Sequence, residues 1–280
     1  MSATADEVSA LEAAEVEAFA DFYRAATPEI VEQAGIAVRE LEEGVVLGAN
    51  RLDVLALNRA VGVGLAKRPS DDALTEMIGA FEAIGSPRFF VQVAPTETTA
   101  DLGPRLEALG LRHYNNWIRL RRELKDLPEA RPSSVSVTQI GPELAETFST
   151  IVADAFHYPP AVTPLTGCAI GRPGWNHYLA MEEGEPIGAA AMYVAGRAAW
   201  FGFAATVEAR RGRGAQTALV TRRMADAARE GCTWVSVETA EQTPDREAPS
   251  FRNLTRLGFE VTYVRPNYLW VREEITRPSA

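Results

Sequence analysis

Apolar residues recur at helical spacing from the start of the chain: Val8, Leu11, Ala18, Phe19, Phe22 and Tyr23 share one side of a predicted helix that stops before Thr27-Pro28. From Gly44 to Gly64 the pattern tightens into two strand-like runs, Arg51 to Leu57 and Val61 to Leu65, joined through Asn58-Arg59. The period then changes, and Leu74, Met77, Ile78 and Phe81 form one face of a helix ending near Gly85-Ser86-Pro87. Phe89 to Val93 reads as a strand, Leu102 to Leu109 as a short helix closed by Gly110, and Trp117 to Leu120 as a strand.

Lys125 to Ser134, with Pro128 and Pro132 among polar residues, has the composition of a linker, and beyond it a similar order returns. Val135 to Ile140 is a strand and Pro142 to Phe156 a helix, followed by an irregular stretch through Pro159-Pro160 to Pro173. Strands Trp175 to Met181, Pro186 to Val194 and Ala198 to Thr206 follow, with hairpin turns at Glu182 to Glu185 and Ala195 to Arg197. Gly214 to Glu230 is a helix, Thr233 to Glu238 a strand, Pro249 to Leu257 a helix, and Phe259 to Val264 and Tyr268 to Val271 are two closing strands.

Two stretches correspond between the halves at nearly the same offset. Phe90-Val91-Gln92-Val93 parallels Trp234-Val235-Ser236-Val237, and Leu106 to Leu111 parallels Leu254 to Phe259, each through a Leu-Gly step. Helix-Gly-strand junctions recur in unrelated folds, but here the flanking strand and helix correspond too, which predicts a tandem duplication. The expected division is a first domain over 1–126, a linker over 127–134 and a second domain over 135–280.

Composition narrows the classes. A chain of 280 residues, 46% hydrophobic and 24% charged, is long enough for two packed cores, and none of its apolar runs approaches the ~18 residues of a membrane span. Its acidic start lacks the basic and apolar regions of a secretory signal, so a cytoplasmic protein with no membrane partner is expected. Cys168 and Cys232 are far apart, which indicates neither a disulfide framework nor a metal site. A net charge of −10 argues against nucleic-acid binding, which needs a basic field, and suits a cationic substrate.

The candidate chemistry lies where strand Ala198 to Thr206 runs into Arg210-Arg211-Gly212-Arg213-Gly214-Ala215-Gln216 and then a long helix. Glycines let the backbone approach a ligand closely, free N–H groups at the helix start point at it, and arginines add charge: together an anion site. A basic surface turn has the same composition, so the spacing alone leaves both readings open.

Here the sequence resembles the GNAT N-acetyltransferase superfamily, whose phosphate loop is Arg/Gln-x-x-Gly-x-Gly/Ala. Arg211 to Gln216 matches except at the last position, where Gln216 replaces a small residue, and the resemblance extends to Ala218-Leu219 and to Ser250 through Phe259 with its Leu-Gly-Phe exit. It covers the second half directly and the first half through the internal repeat. The implied fold is α/β (α+β): two tandem acyl-CoA N-acyltransferase-like domains, each a mixed, mainly antiparallel sheet flanked by helices, with the fourth and fifth strands splayed to admit a pantetheine arm.

The resemblance implies acetyl-CoA as co-substrate, without a metal, and acetyl transfer by direct attack of a primary amine of a small molecule or peptide. The loop from Arg211 through Gly212, Arg213, Gly214 and Ala215 to Gln216 would hold the pyrophosphate, backbone around Phe203, Ala204 and Ala205 would lie against the arm, and Asn253 would be a further contact. A protonated amine needs a base, for which Glu238 is the first candidate and Glu208 the second. Family members often carry a tyrosine where this chain has Leu254, so either Tyr263 or Tyr268 is the acid to the departing thiolate or the thiolate leaves without one. His157 and Tyr158 fall where the family builds its acceptor pocket, although a plain surface or structural role suits His157 and His177 better. Loss of the tyrosine and the presence of Gln216 also permit an acyl-CoA-binding sensor without efficient catalysis.

At the equivalent place the first half reads Val61 to Asp72 with no such loop; Ser70 or Asp71 would cap the next helix, and Asp71 and Asp72 already supply negative charge to its positive end. The first half is therefore expected to be a degenerate copy that shapes the acceptor cleft or a dimer contact, in a monomer or homodimer.

Overall fold

The computed structural model describes residues 5–42, 44–128, 133–243 and 248–272, so residues 129–132 of the expected linker lie outside the described residues. The chain forms two compact units, Met1–Ile118 with Tyr263–Ala280, and Arg119–Thr262.

Unit 1 begins with α1 (Ala5–Arg24), which buries the expected Val8, Leu11, Ala18, Phe19, Phe22 and Tyr23, together with Glu12 and Glu15. Thr27-Pro28 does more than end it. The Thr27 hydroxyl accepts from Ile30 N–H, Pro28 takes the first helical position where no N–H is needed, and α2 (Pro28–Ala34) follows. β1 (Ile36–Leu41) and β2 (Gly44–Ala49) pair antiparallel, and β2 continues to β3 (Arg59–Val61).

The strand expected over Arg51 to Leu57 is instead an irregular loop with a 3-10 turn at Leu55–Leu57. Buried Asn58 explains it. Its side chain accepts from Ala49 N–H (3.0 Å) and from Ser86 Oγ (3.0 Å) and donates to the Leu52 (3.3 Å) and Val54 (3.2 Å) carbonyls, satisfying backbone groups that a sheet ladder would otherwise have taken.

α3 (Asp71–Ile84) is capped by Ser70, whose Oγ accepts from Ala73 N–H at 3.1 Å, and it buries Leu74, Met77 and Phe81. It carries the chain to β4 (Arg88–Gln92), parallel to β3, where Phe89 stacks on Phe81 with ring centroids 3.8 Å apart. α4 (Leu102–Ala108) leads to β5 (Arg112–Glu123), of which 112–118 belongs to unit 1.

Unit 2 repeats this order. After β6 (Val135–Ile140), α5 (Ala145–Ala155) and α6 (Thr163–Thr166), the strands β7 (Trp175–Glu182), β8 (Glu185–Ala195) and β9 (Ala198–Thr206) form an antiparallel meander with β6 at its edge. α7 (Ala215–Arg229) crosses to β10 (Trp234–Ala240), which runs parallel to β9 as β4 does to β3. β10 has residues 119–123 of β5 on its other side.

α7 packs on the β7 face that carries Tyr178, whose hydroxyl donates to Asp226 at 2.9 Å. The alternating face carries His177, edge-on to Phe148 of α5 at 5.0 Å. α8 (Pro249–Arg256) then leads into β11 (Glu260–Val271).

The repeat is visible bond by bond at the two helix ends. Leu111 N–H donates to Leu106 O and Phe259 N–H to Leu254 O, both at 3.0 Å, while Gly110 N–H donates to Glu107 O and Gly258 N–H to Thr255 O, also both at 3.0 Å. The closing segment departs from expectation, because β11 is one strand rather than two. Its residues 263–271 belong to unit 1, where Asn267 to Val271 pair antiparallel with Gln92 to Arg88. Pro266 interrupts nothing, since its carbonyl accepts from Val93 N–H at 3.0 Å.

The core of unit 1 is unexpectedly ionic. Arg265 Nη1 lies 2.8 Å from carboxylate oxygens of both Glu12 and Glu15, all three side chains being buried, and the Tyr263 hydroxyl donates to Glu12. Cys168 is half-buried and Cys232 buried, and burial pushes the Cys232 thiol up to about 11.

Candidate functional site

β9 and β10 pair through Ala198–Phe201 and Trp234–Val237, and their register goes no further. On the other edge of β9 the ladder slips: Ala189 faces Ala205 and Ala191 faces Gly202, so Phe203 and Ala204 oppose Ala190 alone, with Phe203 at φ +48°. The strand is thus freed from β10 and bulged against β8 just before the loop.

Beyond Thr206 a 3-10 turn (Glu208–Arg210) brings the chain to Arg211, then to Gly212 (φ +80°), Arg213 and Gly214 (φ +89°), which starts α7 without any side-chain cap. A Cβ at Gly212 or Gly214 would meet nothing within 4 Å, so both glycines border open space. No hydrogen bond within the described residues uses the amides of Gly212 through Thr217; the first helical bond is donated by Ala218 N–H to Gly214 O at 2.9 Å. Six consecutive amides at the positive end of a fifteen-residue helix are therefore available to a ligand.

Side chains anchor this loop from behind. Glu182, at the end of β7 and only 9% exposed, accepts from Arg213 Nη1 at 2.8 Å and Arg210 Nη1 at 3.4 Å. Arg213 thus directs its charge to Glu182 and does not line the cavity, unlike its neighbours Gly212 and Gly214. Arg211 is on the cavity wall, with Glu208 at 3.4 Å.

The amides open onto a cleft of about 630 Å³ lined by the end of α5, the freed end of β9, the loop, α7 and α8, a volume in the ordinary range of small-molecule and cofactor sites. Of the residues singled out from sequence, Ala204, Ala205, Arg211, Gly212, Gly214, Ala215, Gln216 and Asn253 line it together. Asn253 Nδ2 donates to Gln216 Oε1 at 2.6 Å, and Asn253 Oδ1 accepts from Arg256 Nη1 at 3.2 Å.

Others lie elsewhere. The Phe203 ring turns to Trp175 and Trp200, with centroids 6.2 and 5.9 Å away. Glu238 is half-buried on β10, past the end of its pairing with β9, and Glu208 is 80% exposed. Tyr263 is buried in unit 1 beside Glu12, and Tyr268 lies in unit 1 edge-on to His113, its pKa raised by burial and by Glu107.

His157 is exposed at φ +54°, the left-handed position that ends α5, while Tyr158 N–H closes the turn onto Ala153 O at 2.8 Å. Tyr158 stacks on Phe156, and it is Phe156, 46% exposed, that lines the cleft. Arg223 and Arg256 also line it and were not anticipated. Arg223 is buried beneath the cleft, spending its guanidinium on the Ala191 and Leu219 carbonyls, and desolvation pulls it down to about 9. Arg256, three residues after Asn253 on one helix face, was detectable from that spacing.

No protein-family model matches the chain, and no curated protein matches it. Solved structures do. A GCN5-related N-acetyltransferase from Kribbella flavida superposes with a TM-score of 0.60 at 20% identity, over 89% of this chain and 94% of that one. Another from Sphaerobacter thermophilus gives 0.58 at 18%, over 96% and 94%. A tandem GNAT protein from the clavulanic acid biosynthesis pathway gives 0.53 at 17%, over 79% and 76%. This chain has the GNAT fold.

Within the GNAT fold the two units differ at the turn before the crossover helix. In unit 1 Gly62 and Gly64 keep positive φ, but the space is filled: a Cβ on Gly64 would stand 2.8 Å from Thr99 Cγ2, and Thr98 Oγ1 donates to Gly64 O at 2.6 Å. Ser70 Oγ occupies the Ala73 amide at the start of the following helix, and Asp71, paired to Arg105, adds negative charge to that end, so this copy lacks the open, anion-attracting turn of unit 2.

Proposed function

We propose that the protein is an acyl-CoA-dependent N-acyltransferase that uses acetyl-CoA and acetylates a primary amine of a small molecule or peptide. The observation that carries this reading is the run of unspent amides from Gly212 to Thr217, opening onto a cleft at the mouth of two separated strands. The fit to coenzyme A is supported by open Cβ positions at Gly212 and Gly214, which leave a cradle for a diphosphate, and by Arg211 on the wall of an otherwise acidic protein.

When bound, the coenzyme supplies an acyl thioester as electrophile. Amides of 212–217 hold its diphosphate end, and the freed backbone of Ala204 and Ala205 offers hydrogen-bonding groups along its arm. Glu238, on the β10 side of the separated strands, takes the proton that an attacking amine must lose, directly or through water. Leu254 occupies the position of the family's usual tyrosine and is buried, so it would offer no acid to a departing thiolate.

The test is release of free thiol from acetyl-CoA by the purified full-length chain with a panel of amines, read with a thiol-reactive chromophore. Amine-dependent release is expected. Coenzyme binding without turnover on any acceptor would replace the enzyme with a sensor, and absence of binding would overturn the reading.

A further inference from the structure

Three arginines line the cleft, and only one presents its charge without a prior engagement to carbonyls or a carboxylate. Arg223 is spent on two backbone carbonyls, and Arg211 has Glu208 at 3.4 Å. Arg256, exposed on α8, makes one hydrogen bond, to Asn253 Oδ1, and has no carboxylate partner among the described residues.

That bond is directed by the opposite helix. Asn253 has one donor group and one acceptor oxygen. Gln216, in the first turn of α7, takes the donor at 2.6 Å, which turns the oxygen toward the Arg256 guanidinium. The polar relay Gln216–Asn253–Arg256 therefore holds a cation on the α8 wall while leaving most of its fork free. The loop amides already suffice for a diphosphate, and a ligand carrying that group alone has no use for a second cation held apart from them. Coenzyme A carries a further anionic group, the phosphomonoester on its ribose, with a charge of about −1.5 to −2 at neutral pH. A guanidinium fork matches such a group geometrically.

We propose that Arg256, positioned by Asn253 and Gln216, is a second anion subsite that binds the 3′-phosphomonoester of coenzyme A and makes the protein discriminate against dephospho-coenzyme A. This rests on the coenzyme reading of the same cleft. It also gives Gln216, the departure from the family's small residue, a role as a positioning residue.

Calorimetric titration of the full chain with coenzyme A and with 3′-dephospho-coenzyme A tests it. The wild-type protein is expected to prefer coenzyme A by about 10- to 100-fold. Arg256→Gln should bring the two affinities within about 3-fold by weakening coenzyme A alone, Arg256→Lys should keep part of the preference, and Gln216→Ala should reduce it. Equal affinities in the wild-type chain, or an Arg256→Gln variant that weakens both ligands equally, would overturn this inference and leave the coenzyme reading standing. Failure of both ligands to bind would overturn the coenzyme reading itself, and the inference with it.

Discussion

Glycine-to-alanine substitutions at equivalent turns of the two units should have opposite consequences. Gly214 has φ +89° and a Cβ direction open to the cleft, whereas Gly64 has φ +77° and a Cβ direction blocked by Thr99 and Pro69. Holding an L-residue in the left-handed region costs about 1–2 kcal/mol at either site. For Gly214→Ala that is the whole folding cost, a drop in Tm of about 2–8 °C. Gly64→Ala adds an overpacking cost of about 1–3 kcal/mol and should melt correspondingly lower.

Binding reverses the order. The methyl of Gly214→Ala enters the space assigned to the diphosphate and should weaken coenzyme A about tenfold or more, while Gly64→Ala should leave its affinity unchanged at a temperature where the chain is folded. Charge is separable from bulk with Gly214→Gln and Gly214→Glu. A carboxylate about 5 Å from a phosphate at an effective dielectric of about 20 adds some 3 kcal/mol, about a further 100-fold loss. Differential scanning calorimetry and isothermal titration read the two effects separately. Wild-type affinity in a folded Gly214→Glu variant, or lost affinity in a folded Gly64→Ala variant, would refute the reasoning.

Arg265→Met removes the cation between buried Glu12 and Glu15 and should destabilise the protein by about 3–5 kcal/mol in denaturant unfolding; a loss below about 1 kcal/mol would show that the carboxylates are balanced without it. His177 is 2% exposed, neither ring nitrogen has a partner among the described residues, and burial lowers its pKa to about 3. Because the folded state refuses a proton that the unfolded chain accepts near 6.5, stability should be full above that pH and fall by about 1.4 kcal/mol per unit below it, toward the folded value. His177→Phe should flatten this slope relative to wild type, and parallel pH profiles would contradict it. His157→Gly relieves a left-handed non-glycine residue and should raise stability by about 1 kcal/mol in the same assay, with a decrease counting against the strain.

What the sequence disclosed was what local periodicity and turn chemistry encode. The face Leu74, Met77 and Phe81, the Ser70 cap, the glycine-closed helix ends and the strand-loop-helix around Gly212 and Gly214 all sit where their spacing put them. β2 was missed because its last four residues are all buried, which erases the alternation that marks a strand. The apolar run through Leu55 and Leu57 imitated a strand because Asn58, and not a neighbouring strand, satisfies that loop.

Partnership across long separations left no local mark. Nothing near Tyr263 announces that its hydroxyl meets Glu12, and nothing near Asn267 announces Gln92 as its pair. The cleft shows the same division: the loop was legible, whereas Phe156 and Arg223 join it only through folding.

The most direct measurement is a crystal structure of the full chain grown with coenzyme A. The expected result places the diphosphate oxygens about 3 Å from main-chain nitrogens between Gly212 and Thr217. A ligand bound elsewhere, with those amides turned to solvent, would contradict the central claim.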